Sequence, residues 1–116
     1  MGIEDTSFFL LYRIICEGYP IKQENYDHNI GETEEEQMLF ASRHIMEHLM
    51  MSLGSIAKAI QNAEHDGKFD RESLIEEPKR LLINSIKLAE VLHIDPHKLM
   101  LQVEQWEHKY FKAPKE

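Results

Sequence analysis

One cysteine, Cys16, is all that 116 residues provide, so the chain cannot close an internal disulfide and has no cysteine cluster for zinc or an iron–sulfur centre. The fold must rest on packing, which a chain of this length can sustain as one domain, and a reducing, cytoplasmic setting is expected. Long apolar runs are also missing. The longest, residues 8–16, is interrupted by Arg13 and falls well short of the ~20 residues that span a bilayer, so no membrane anchoring is expected. Glu4 and Asp5 precede it where a secretory signal would be positive. Cations are the third shortage: 13 Lys and Arg stand against 21 Asp and Glu, a net charge of −8. Without a basic stripe to neutralise phosphates, general nucleic-acid binding is not expected. The acid excess lies almost wholly in residues 1–36, where nine acids face only Arg13 and Lys22, and that region could dock on a basic protein partner.

No stretch alternates apolar and polar residues as a half-buried strand would, and helical spacing runs almost throughout, so the expected class is all-α, a compact bundle of four or five helices. The organisation read from the sequence is one domain over residues 1–116, with an N-terminal helix in 1–18, a flexible connection in 19–33 and a helical core in 34–111. Thr6 is the predicted N-cap of the first helix, and Gly18-Tyr19-Pro20 stops it. Thr33-Glu34-Glu35-Glu36 reads as a capping box opening a long helix that ends at Asp66-Gly67. Its predicted core stripe is Ile45, Leu49, Leu53, Ile56 and Ile60, with Gly54 allowing a neighbouring helix to approach closely. Asp70 or Ser73 opens the next element, and Pro78 marks a break or first turn. A helix from about Pro78 to His93 should bury Leu82, Ile86, Ala89 and Leu92 or a neighbouring stripe. Asp95-Pro96 then starts a last helix whose apolar positions are Leu99, Val103, Trp106 and Tyr110.

Two patterns could carry chemistry. His44-Ile45-Met46-Glu47-His48 fits the H-x-x-E-H spacing of inverted zinc peptidases, in which two histidines one turn apart bind the metal. A 116-residue chain has little room for their substrate chamber, so His44, Glu47 and His48 are read as a weak Zn or Ni site at most. His93 and His97 are also four apart, but Asp95-Pro96 should separate their faces.

The second pattern joins Leu53-Gly54-Ser55-Ile56-Ala57-Lys58-Ala59-Ile60 with Ile86-Lys87-Leu88-Ala89-Glu90-Val91-Leu92-His93-Ile94-Asp95 and the helix running to Phe111. Over residues 45–111 the chain resembles the MazG-like all-α nucleoside triphosphate pyrophosphohydrolases, whose segments read L-G-E-[LI]-A-K-A-[IL] and L-A-[DE]-x-L-G-I-D. The resemblance implies an E-E-x-x-E motif and an E-x-x-D motif that hold Mg²⁺ against a triphosphate. Laid on this chain, those ligand places fall on Met51, Ser52, Ser55, Glu77 and Arg80. Only Glu77 keeps its acid. One glutamate cannot replace a multi-carboxylate Mg²⁺ site, and Arg80 would repel the cation. Glu47, Glu90 and Asp95 are the candidates for relocated acids. His44, His48, Met51 and Ser55 share one face of the long helix.

These observations predict a non-catalytic MazG-like binding or regulatory protein that has lost its Mg-dependent site, with no catalytic residue and no cofactor. The alternative is a divergent nucleotide pyrophosphohydrolase or a His-dependent metal-binding protein. A homodimer is expected, because Met38, Leu39, Phe40, Met46, Met50 and Met51, with Phe8, Phe9, Leu10 and Leu11, spread apolar surface around two helices. MazG-like proteins generally assemble as dimers, so the resemblance implies the same.

Overall fold

The computed structural model describes residues 3–110, with side chains from 7 to 107 and at 109. Four helices account for most of them: α1 (Ile3–Gly18), α2 (Glu34–Asp66), α3 (Glu77–Val91) and α4 (Pro96–Tyr110). Two short 3₁₀ turns lie at Gln23–Asn25 and Arg71–Leu74, and no strand occurs among the described residues. The chain is all-α, as its periodicity requires. α3 is the central element, packed on one side by α2 and on the other by α1, while α4 leans on α1.

Local chemistry sets most of the helix ends. The Thr33 hydroxyl accepts from the Glu36 N–H and the Glu36 carboxylate accepts from the Thr33 N–H, both at 3.1 Å, closing the predicted capping box. Gly67, at φ 73°, ends α2 with its N–H on the Ala63 carbonyl. Asp70 opens the second 3₁₀ turn by accepting from the Ser73 N–H. Pro78 sits in the first turn of α3, where a missing N–H is harmless. Asp95 caps α4 by accepting from the Lys98 N–H at 2.8 Å. One start differs from expectation: α1 begins at Ile3, so Thr6 lies within the helix rather than at its cap.

The turn from α3 to α4 holds His93 at φ 59°, a left-handed conformation that costs an L-residue roughly 1–2 kcal/mol. The Ile94 N–H reaches the Ala89 carbonyl at 2.8 Å, the six-to-one bond of a Schellman cap. This turn is anchored to α1, because the buried Tyr12 hydroxyl donates to the Ile94 carbonyl at 2.6 Å. Around Tyr12 and Ile15 pack Ile86 and Ala89, with Phe8 and Leu99 against them. Cys16 lies beside this cluster, its thiol pushed up to about 12 by burial and by hydrogen bonding with Glu90, which leaves it a poor nucleophile.

Residues 19–33 cross over to α2 through a network centred on Gln23. Its amide donates to the His28 carbonyl at 2.7 Å and accepts from the Ile30 N–H at 2.9 Å, while Ile30 is buried. Gly31, at φ 137°, fits tightly against α2, where a Cβ would come within 2.7 Å of the Glu36 Cβ.

Several buried positions differ from the predicted stripes. On α2 the buried residues are Ala41, Ile45, Ser52 and Ala59, while Leu53 and Ile60 are exposed. The inward face is thus rotated by about 65° from the apolar stripe. Small side chains at 41, 52 and 59 allow α3 to approach; the large apolar residues beside them would hold it away. Gly54 has open space at its Cβ position and takes no part in this packing. On α3, Ile86 and Ala89 are buried as predicted, but Leu82 and Leu92 are exposed and Glu77 and Asn84 are buried. Val103 and Trp106 are exposed on α4; the side chain of Tyr110 and residue Phe111 lie outside the described residues. Phe8 is half-buried against the core, and Phe40 is covered by the 19–33 segment.

Candidate binding cavity between α2 and α3

The small-residue contact between α2 and α3 widens into a cavity of about 350 Å³. From α2 it is lined by His48, Met51, Ser52 and Ser55, and from α3 by Glu77, Arg80, Ile83, Asn84 and Lys87, with Tyr19 at its edge. All five positions picked out by the family pattern, Met51, Ser52, Ser55, Glu77 and Arg80, therefore line one space. Helix periodicity explains the convergence: 48, 51, 52 and 55 share a face of α2, and 77, 80, 84 and 87 step by three, four and three along α3.

Glu77 is the chemical centre. Placed in the first turn of α3, it is only 3% exposed, and its Oε2 accepts from the Arg80 guanidinium at 2.9 Å. Its Oε1 is buried with no hydrogen-bond partner. A buried carboxylate is costly unless paired, and Arg80, itself half-exposed, supplies the pairing. The Arg80 carbonyl accepts from the Asn84 amide at 2.8 Å. Lys87 adds a second cation; burial lowers its pKa, with Glu90 acting in the opposite direction.

Mg²⁺, the ion the resemblance implies, does not fit this donor set. Glu77 is the single carboxylate among the lining residues, one of its oxygens is held by Arg80, and Lys87 adds repulsion. The candidate relocated acids Glu47, Glu90 and Asp95 do not line the cavity. Asp95 is occupied in capping α4.

The histidine pattern has a different setting. The rings of His44 and His48 meet edge to face with centroids 4.7 Å apart. His44 stacks on Phe40 at an interplanar angle of 13° and packs against Tyr26, while Phe40 also meets Tyr26 and His28. Burial, then His48 and Lys87, hold the His44 pKa below its ordinary value, against an opposing effect of Glu47. Among the described residues no three His, Cys, Asp or Glu side chains are grouped to hold a metal ion. His93 lies within the turn before α4 and His97 in the first turn of that helix, and His93 contacts Glu34 at 3.0 Å on the surface.

Sequence reasoning missed Tyr19, Ile83, Asn84 and Lys87 as cavity residues. Asn84 and Lys87 continue the face of Glu77 and Arg80 along α3, but Lys79, Ser85 and Glu90 are polar too, so spacing alone does not single them out. No protein family, curated protein or solved structure matches the chain.

Proposed function

We propose that this chain is a non-catalytic MazG-like helical binding or regulatory protein that takes a small ligand in the α2–α3 cavity without Mg²⁺. In this reading it acts in the cytoplasm as a homodimer, and the acidic residues 1–36 are available to a basic protein partner. The observation that carries the reading is the Glu77–Arg80 pair, with Lys87 beside it, where the resemblance would require a carboxylate cluster. Two cations against one carboxylate favour an anionic group on the ligand; the unpartnered Glu77 Oε1 favours an N–H or O–H donor on the same molecule, which reaches it by displacing the side chains that shut it off from solvent. Ile83 and Met51 supply apolar wall.

Two measurements test this reading. Purified protein with Mg²⁺ or Mn²⁺ and a panel of NTPs and dNTPs should release no pyrophosphate above a heat-killed control; release abolished by Glu77→Gln or Glu47→Gln would support the alternative, a divergent pyrophosphohydrolase. O-phosphoethanolamine, which carries both groups, should bind in EDTA by calorimetry. Lys87→Gln should weaken it about tenfold, the effect of one charge-assisted contact. Binding that required Mg²⁺ would overturn the proposal. Zn²⁺ or Ni²⁺ should bind His44 and His48 only weakly, since Glu47 is the one further ligand that their pattern offers.

A further inference from the structure

We propose that two copies of the chain pair through the outward face of α2, antiparallel, with the two-fold axis between Met50 and Leu53. The inference rests on the homodimer of the reading above and is independent of the ligand in the cavity.

The surface is defined by spacing. Leu39, Met46, Met50, Leu53 and Ile60 are 58, 50, 61, 55 and 47% exposed. With Arg43, Ala57 and Glu64 they occupy positions 39, 43, 46, 50, 53, 57, 60 and 64. The steps alternate four and three throughout, the heptad seam of a coiled coil, on a flank that stands about half exposed and meets residues 29–31 near Leu39 and Arg43. α2 has 33 residues, long enough for the whole seam.

The surface area leaves room for a partner. Its radius of gyration is 17.8 Å, whereas a compact chain of this length has about 13–14 Å. Its accessible surface is 9335 Å², against about 6,600 Å² for a folded monomer of this mass. The excess greatly exceeds the ~800 Å² that each partner buries in a standard interface.

Charge selects the occupant and its direction. The seam carries Arg43 towards one end and Glu64 at the other, and neither makes an ion pair among the described residues. In parallel pairing Arg43 would face Arg43 and Glu64 would face Glu64. Antiparallel pairing instead sets Met50 against Leu53, Met46 against Ala57, Arg43 against Ile60 and, at each end of the seam, Leu39 against the stem of Glu64. Glu64 of the second copy then lies one turn beyond Ile60, within reach of Arg43. The arginine stem covers Ile60 while its head meets the carboxylate. Because the same helix reversed satisfies every layer, the interface is isologous and closes as a dimer. The seam lies about 160° around α2 from His48, Met51 and Ser55, so the cavity stays open in the pair.

Light scattering and a spin-label distance test this on the full chain. The native protein should have the mass of two chains at micromolar concentration. Met50→Glu/Leu53→Glu should give one chain with unchanged helical circular dichroism. Arg43→Glu should weaken association about three- to tenfold, and adding Glu64→Arg should restore it. A label at Glu35→Cys, in a Cys16→Ser background, should report about 50 Å between copies, the rise of 33 residues along antiparallel helices. A native monomer would overturn both the homodimer and this seam. A dimer with labels closer than about 20 Å, or one indifferent to Met50→Glu/Leu53→Glu, would overturn the seam and leave the homodimer standing.

Discussion

The two flanks of α2 make opposite use of one helix. The flank towards α3 presents Ala41, Ser52 and Ala59 to its neighbour and encloses polar groups, Glu77 and Asn84 among them. The outward flank carries the larger apolar side chains and leaves them about half exposed. Hydrophobicity alone would assign these roles the other way round. Close helix approach depends on small side chains as much as on apolar ones, so the face that meets a neighbour within the chain need not be the greasiest.

Mutation at two isoleucines breaks this contrast most sharply. Ile45 is fully buried, and Ile45→Ala should cost about 2–5 kcal/mol in urea unfolding. Ile60→Ala should cost under about 1 kcal/mol in protein diluted to the monomer, and more in the associated form. Equal losses at both sites in the monomer would show that the outward flank is covered within the chain.

The next effect lies in the cavity. Arg80→Leu removes the partner of a buried carboxylate and should destabilise the chain by about 1–3 kcal/mol, reduced from the fully buried case because the guanidinium is half in water. Glu77→Leu/Arg80→Leu should recover most of that loss. A double variant as unstable as the single would mean that the cavity needs the charge pair itself.

Acid titration sharpens the comparison along the axis of α2. Hydrogen bonding from Thr33 holds the Glu36 carboxyl below its ordinary value of 4.5, so the folded state binds that proton less readily than the unfolded state. The associated stability is complete above about 4.5 and declines as pH falls from there through the lower folded value. Thr33→Ala should flatten this part of the urea midpoint against pH. An unchanged slope would place the acid sensitivity elsewhere.

The smallest expected effect concerns His93. Glycine accepts φ 59° without the steric cost of a Cβ, so His93→Gly should raise stability by less than about 1 kcal/mol after the loss of unfolded-chain restriction and of the exposed Glu34 contact. A thermal melt that fell by several degrees would assign the histidine a larger role than that contact shows.

Some of the site was legible in advance. Met51, Ser52, Ser55, Glu77 and Arg80 were named from a pattern, and the structure brings them to one cavity. Their common lining follows from helical spacing once α2 and α3 are paired. Lys87 and Asn84 were not named, because a polar residue on an amphipathic helix looks the same in sequence whether it meets water or a cavity. The setting of His44 was equally invisible: Tyr26 reaches it, and His28 reaches the adjacent Phe40, from a connection whose course depends on Gln23 and on the close fit of Gly31.

The sequence by itself determined the helical class and nearly every boundary, since capping boxes, left-handed glycine caps and first-turn prolines satisfy backbone groups within a few residues of themselves. Tertiary structure alone decided which face of α2 turned inward, where a cavity opened and why a histidine took a glycine conformation. Those outcomes depend on how closely a second helix can approach, and that distance is set by side chains far apart in the chain.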